Sequence, residues 1–212
     1  PRPASGGATF ERRNPLDGRI ATTAAAATPE DAVAAVQAAA QAFPAWAALG
    51  PAARRDLLQR AAQALTARAD AFAATMAAET GASAAWAGFN VHLAANLLQE
   101  AAALTTQIAG EVIPSDMPGS LAMGVRQPAG VVLGMAPWNA PVIQGVRAIA
   151  TQLACGNTVV FKGSEACPAT HRLIAEALHD AGLPAGVVNF ITHAPGDAAD
   201  VVEAMVAHPA VR

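Results

Sequence analysis

The 212 residues are 53% hydrophobic and 14% charged, with a net charge of −3 at pH 7. That is the composition of a folded chain of one or two domains, not of a disordered one. The 13 Lys and Arg are scattered without a basic run, which removes the electrostatic reason to expect nucleic acid. Charged and amide residues interrupt every apolar stretch before the ~18 residues a membrane span requires.

Residues 1–28 read mostly as loop, with a short strand near Thr9–Arg12 and a turn at NPLDGR (14–19). Thr28-Pro29-Glu30-Asp31 predicts a helix start, because Thr caps, Pro suits the first helical position and acids favour the first turn. This helix is expected over 29–42. A second follows Gly50-Pro51 with Leu57, Leu58, Ala61 and Leu65 on one face, and a third spans 69–80 and ends at Gly81. A long helix over 83–108 sets Trp86, Phe89, Leu93, Leu97, Ala101, Leu104 and Ile108 at steps of three and four. Such a stripe is expected to face the core. GEVIPSDMPGSLAMGVRQPAG (110–130) predicts two short strands around an Asp116–Ser120 turn.

From residue 130 strands and helices alternate. GVVLGMAP, NTVVFKGS and GVVNFIT read as strands, and APVIQGVRAIATQLAC, PATHRLIAEALHDAG and GDAADVVEAMVAHP as helices. This order predicts an α/β fold with a parallel sheet, right-handed crossovers and helices on both faces. The expected organisation is a helical part over 1–109, a β-hairpin over 110–129 and the first half of a Rossmann-like sheet over 130–212, about three β-α units. The chain starts with Pro and stops after HPAVR, where a strand would begin, so both ends read as cut. Cys155 and Cys167 form no CxxC pair, so neither a zinc site nor a redox dithiol is expected. Few cysteines and no signal peptide make the cytoplasm the expected compartment. The histidines at 92, 171, 179, 193 and 208 share no metal-ligand spacing and read as surface or polar-face residues.

Ligands of open parallel sheets bind at the carboxyl ends of the strands. Those ends are MAPWN (135–139), FKGSE (161–165) and ITHAPGD (191–197); GxGxxG and GxxxxGK[ST] are both absent. Lys162 and Glu165 are either a solvated loop pair or a donor and an acceptor for a ribose diol, with Ser164 adding hydrogen bonds. Asn139 is either a helix cap before Pro141 or an amide donor held rigidly for a developing oxyanion, stiffened by Pro137, Trp138 and Pro141. Trp86 is expected in the core. Arg147, in the otherwise apolar VIQGVRAIA, is either exposed on the outer face or aimed at a polar or anionic group.

MAPWNAPVI, ACGNTVVFKGSE and AGLPAGVVNFIT, in this order and spacing, resemble the NAD(P)-dependent aldehyde dehydrogenase superfamily over nearly the whole chain. ACGNTVV.K.SEACPATH together with NAPVI.GVRAIA is most similar to its aromatic-aldehyde branch, which includes salicylaldehyde, vanillin and benzaldehyde dehydrogenases. The resemblance implies that Asn139 is an oxyanion-hole donor and that Met135, Ala136, Pro137 and Trp138 lie against the cofactor. It implies that Lys162 and Glu165, with Gly163 and Ser164 between them, bind the adenine ribose. Trp86 and Arg147 would face the aldehyde pocket. Residues 110–128 resemble part of an oligomerisation hairpin, so a homo-oligomer is implied. NAD is the implied cofactor, preferred over NADP because Glu165 would repel a 2′-phosphate.

Three departures qualify the resemblance. Gly163 stands where the family's pattern has Pro. THAPGDA is poorer in Gly than the corresponding segment of many relatives. The second glycine-bearing cofactor turn, the catalytic Glu and the nucleophilic Cys find no match, and neither Cys155 nor Cys167 is at the nucleophile position. The catalytic domain is therefore expected to be absent from this chain, and the 212 residues alone to be inactive. The expected function is oxidation of an aromatic aldehyde to its carboxylate through a thiohemiacetal on a Cys beyond the chain, with NAD accepting the hydride. The alternative is a non-catalytic nucleotide-binding or assembly module. A ligand-free Ala-rich scaffold would leave the polar strand ends unexplained.

Overall fold

In the computed structural model, which describes residues 3–212, the first strands are β1 (Thr9–Arg13) and β2 (Ile20–Ala25). They form an antiparallel pair with Thr9 opposite Ala25. The NPLDGR turn joins them, with Asn14 Oδ1 accepting the Leu16 N–H at 2.8 Å. The sequence reading gives only the first of these strands. The second, IATTAA, has its strand formers diluted by alanine, and its partner strand rather than its own pattern fixes it.

Helix α1 (Pro29–Ala47) starts at the predicted cap. Thr28 and Asp31 bond each other's main-chain N–H groups, a reciprocal capping box. The helix runs through Pro44, five residues beyond the expected end at 42. Helices α2 (Pro51–Thr66) and α3 (Ala69–Thr80) follow as expected, α3 closing on Gly81 at φ 69°, a left-handed cap that glycine adopts at little cost. Helix α4 (Ala84–Leu104) corrects the predicted stripe. Its buried face is Ala87, Asn90, Val91, Ala94, Ala95, Leu98, Ala101 and Ala102, whereas Trp86, Phe89, Leu104 and Ile108 are exposed. Alanine supplies most of this face, joined by Val91 and Leu98, with Leu97 at its edge, while Trp86, Phe89 and Leu104 lie on the outer side.

The hairpin of β3 (Glu111–Ile113) and β4 (Ala122–Gly124) pairs antiparallel as predicted. It buries none of its large apolar residues: Val112, Ile113, Met117, Leu121, Met123 and Val125 are all exposed.

The main sheet has the order β5-β6-β7, formed by β5 (Val131–Met135), β6 (Thr158–Lys162) and β7 (Val188–Ile191), all parallel. A parallel bridge from Val131 to Val211 adds a contact on the free edge of β5. The two faces are covered by different helices. Val131, Val160 and Ile191 pack with Ala32, Val36 and Ala39 of α1 and with Val201 and Met205 of α8 (Ala198–Val206). Val159 and Phe161 join the core built from α2, α4 and α7 (Pro168–Asp180) on the other side. This is the period-2 alternation of a strand buried on both faces.

The first crossover is two helices, α5 (Pro141–Arg147) and α6 (Ala150–Ala154), where one continuous helix is expected. The break at Ala148 and Ile149 lies against β5 so closely that a Cβ at Gly134 would sit 2.6 Å from the Ala148 carbonyl oxygen. At the start of β5, Asn157 Oδ1 accepts the N–H groups of Ala129 and Gly130 at 2.7 and 3.0 Å, which gives the Asn of ACGN a structural task. No helix of the described residues is long and apolar enough to cross a membrane.

Candidate active site

Two corners at the carboxyl ends of β5 and β6 come together. Met135 pairs with Lys162 in register, and the Ala136 N–H reaches the Lys162 carbonyl at 3.4 Å. Met135, Pro137, Trp138 and Asn139 are exposed, while Ala136 is buried beneath them.

Asn139 does not cap α5. Ala140 occupies the cap position without a side-chain bond, and Pro141 is the first helical residue. Among the described residues the Asn139 amide has no partner, so its donors remain available. Its main-chain carbonyl accepts the Trp86 Nε1–H at 3.3 Å. Trp86 stacks on Phe89 with ring centroids 5.5 Å apart. Trp86 is thus not the core residue its stripe suggests; it is 41% exposed and braces the corner. Arg147 ends α5, about 9 Å along the helix from Pro141 at 1.5 Å per residue. It is exposed and has no ion-pair or hydrogen-bond partner among the described residues.

Lys162 and Glu165 are both half-buried and make no ion pair within 4 Å among the described residues. Burial holds the Lys162 ammonium below its ordinary range, opposed by the Glu165 carboxylate. A cation that is partly desolvated without a close partner gains by acquiring an acceptor. Ser164 is buried and spends its groups inside the turn: Oγ accepts the Ala166 N–H at 3.2 Å, and its N–H donates to His171 Nδ1 at 3.0 Å. Gly163 is closely packed in this turn. It is buried, and a Cβ there would lie 2.7 Å from Phe190 Cε2.

Sequence reasoning misses three residues here. His171 is fully buried, its Nε2 3.1 Å from the Pro141 carbonyl. His193 is likewise buried, against the surface expectation for both. His171 falls on the stripe of α7 with Ile174 and Leu178, and that placement is the signal that could have found it. Glu79 is also fully buried. Its carboxylate accepts from Thr22 Oγ1 (2.8 Å), the Ala169 N–H (2.8 Å), the Thr170 N–H (2.9 Å) and Thr170 Oγ1 (2.7 Å). Cys167, at the cap position of α7, makes no capping bond with its side chain, so Glu79 is the cap of that helix from outside it. Cys167 is buried as well, and burial followed by the Glu79 charge pushes its thiol far up. A thiol held neutral is inert as a nucleophile.

Burial, reinforced by Lys162, lowers the His171 pKa to about 4, against the opposing bond to Pro141. An unfolded histidine titrates near 6.5. Between these values the unfolded chain binds the extra proton, so stability is full above about pH 6.5 and falls as the pH drops toward 4. The unfolding free energy, measured by denaturation from pH 7 to 4.5, is expected to fall by up to ~3 kcal/mol on this account. His171→Gln is expected to remove most of that slope.

The sequence pattern described as the aldehyde dehydrogenase family matches residues 2–212. The chain is 64% identical over 210 residues to a vanillin dehydrogenase of Pseudomonas fluorescens, covering 99% of this chain and 43% of that protein. Among solved structures it is similar to a salicylaldehyde dehydrogenase from Pseudomonas putida G7 complexed with salicylaldehyde, at 46% identity and a TM-score of 0.98, covering 100% of this chain and 44% of that one. It is also similar to an NAD-dependent benzaldehyde dehydrogenase from Corynebacterium glutamicum, at 29% identity and a TM-score of 0.93, covering 99% of this chain and 44% of that one. The chain spans less than half the length of the relatives it matches. That these relatives are dehydrogenases by name lends no support to a non-catalytic module. By the match over 2–212 and by these likenesses, the chain belongs to the aldehyde dehydrogenase family.

Proposed function

We propose that the protein carrying this chain oxidises an aromatic aldehyde to its carboxylate with NAD. The observation that carries the reading is the Asn139 amide, exposed, free of any capping bond and braced from behind by Trp86. When a thiolate from a cysteine outside these 212 residues adds to the aldehyde carbon, negative charge collects on the former carbonyl oxygen. Asn139 Nδ2–H donates to that oxygen. Bound NAD supplies the acceptor for the hydride that leaves the same carbon; water then hydrolyses the thioester and releases the carboxylate.

The chain's own residues hold and orient the cofactor. Lys162 donates to the hydroxyls of the adenine ribose and Glu165 accepts from them; Gly163 lets the turn pack tightly beneath. Met135, Pro137 and Trp138 give the cofactor an exposed, stiff surface to lie on, with Ala136 as its floor. Trp86 and Arg147 contact the aldehyde, the ring by stacking and the guanidinium by bonding a ring substituent. The exposed apolar hairpin β3-β4 supports a homo-oligomer in which those side chains are covered. Unpaired Cys155 and Cys167 suit a reducing compartment such as the cytoplasm. The 212 residues by themselves form no NADH on this reading, because neither cysteine is the nucleophile.

The test is NADH formation by the complete protein with vanillin, salicylaldehyde and benzaldehyde. Turnover of at least one of them, with NAD preferred over NADP, is expected. Glu165→Gln is expected to shift the NADP/NAD ratio of kcat/KM upward by about tenfold, the removal of one charge repulsion of ~1.4 kcal/mol. No turnover of any aldehyde overturns the reading, and equal use of both cofactors by the unaltered enzyme overturns the part given to Glu165.

A further inference from the structure

We propose that His171 is a positioning residue: its buried ring ties the Lys162–Glu165 turn to the Asn139 corner and keeps the two in register, a role that rests on the function proposed above. The ring has one partner at each corner. Nδ1 lies 3.0 Å from the Ser164 main-chain N, and Nε2 lies 3.1 Å from the Pro141 carbonyl oxygen. A main-chain N–H only donates and a carbonyl only accepts, so the ring is fixed as the tautomer with its proton on Nε2. Ser164 lies between Lys162 and Glu165 in the turn, and Pro141 stands two residues after Asn139. One rigid ring therefore spans the two strand ends on which the proposed chemistry depends.

The surroundings hold the ring itself still. Phe161 meets it edge-on, with centroids 5.3 Å apart and planes at 62°. The two residues before it, Ala169 and Thr170, are pinned by the Glu79 carboxylate. Two glycines leave the room it occupies. A Cβ at Gly163 would lie 3.3 Å from His171 Cβ, and one at Gly145 would lie 3.4 Å from His171 Cδ2 and 2.5 Å from Ile174 Cδ1. A histidine that served only the core would need satisfied nitrogens. Here both partners are main-chain atoms of the two corners, which links ring placement to donor placement.

The two bonds can be cut separately. Asn at 171 places an oxygen where Nδ1 stands and keeps the turn bond; Gln places a nitrogen where Nε2 stands and keeps the corner bond; Leu keeps neither. In the complete enzyme, His171→Leu is expected to lower kcat at saturating NAD by about 10²-fold, the cost of misplacing a reacting group by ~1 Å, and also to raise the KM for NAD. His171→Asn is expected to restore the KM for NAD but not kcat, and His171→Gln to restore kcat more than KM. When Asn139 is already Ala, His171→Leu is expected to cost kcat little more. Should the Leu variant fail to fold, the opposed Asn and Gln profiles decide. Folded variants with unchanged kcat and KM, or equal losses in Asn and Gln, overturn the positioning role while leaving the proposed function standing. An unaltered enzyme that oxidises no aldehyde overturns both.

Discussion

Asn139→Ala is expected to lower kcat of the complete enzyme by about 10²–10³-fold with little change in the KM for NAD, the loss typical of removing one oxyanion donor, ~3–4 kcal/mol of transition-state stabilisation. The structure explains why the loss should fall on kcat. Among the described residues the amide bonds nothing, so its removal leaves no buried group unpaired and costs little stability. The corner is built by Pro137, Pro141 and the Trp86 bond to the Asn139 carbonyl, and all three survive the change. Asn139→Asp keeps the size but replaces the donor by a carboxylate, and should be at least as damaging. Stopped-flow measurement of NADH formation under saturating substrate separates this outcome from impaired binding. A variant that keeps a tenth or more of the turnover would remove Asn139 from the chemistry.

Glu79→Ala is expected to be the most destabilising single change outside the large apolar core residues, at about 3 kcal/mol or more. It strips the acceptor from two main-chain N–H groups at the start of α7 and from the hydroxyls of Thr22 and Thr170. Unsatisfied buried donors cost their full desolvation, and the positive end of α7 loses its countercharge. The effect is also spread in space, since this one carboxylate joins β2, α3 and α7. Glu79→Gln fills the same volume but sets its NH2 group against one main-chain N–H, donor against donor, while the hydroxyl on that side can turn to accept; it should recover only part of the loss. Thermal denaturation against the exposed control Glu203→Ala checks this, and equal Tm values for the two variants would refute it.

The strong local signals of the sequence carried much of the fold. The Thr28-Pro29-Glu30-Asp31 cap, the Gly81 terminator and the apolar strands from 131 onward all lie where local chemistry places them. What failed were inferences from size and type. On α4 size predicts a buried Trp86 and Phe89, yet alanine supplies most of the buried face and those two rings face outward. IATTAA became a strand only through its neighbour. Both corners of the candidate site were legible because a polar tip on an apolar strand is conspicuous. Their link was not, because His171 and Glu79 sit on the apolar stripes of α7 and α3, where pattern reading expects no charge or imidazole. Phe72, Met76 and Glu79 recur at helical spacing; a carboxylate in such a series is itself the signal of a buried polar junction.

At the two corners His171 grips main-chain atoms, its one polar side-chain contact there among the described residues being Cys167 Sγ at 3.8 Å, and this separates recognition from registration. A side chain at Met135, Trp138 or Glu165 can change without touching either bond of the ring. Variants selected for a new aldehyde or a new cofactor can thus explore the exposed positions of both corners on a frame that does not shift beneath them. The constraint falls on Gly145 and Gly163 instead, where even one methyl group would press on the surroundings of the ring. A library of such variants should tolerate broad diversity at the corners and almost none at these two glycines.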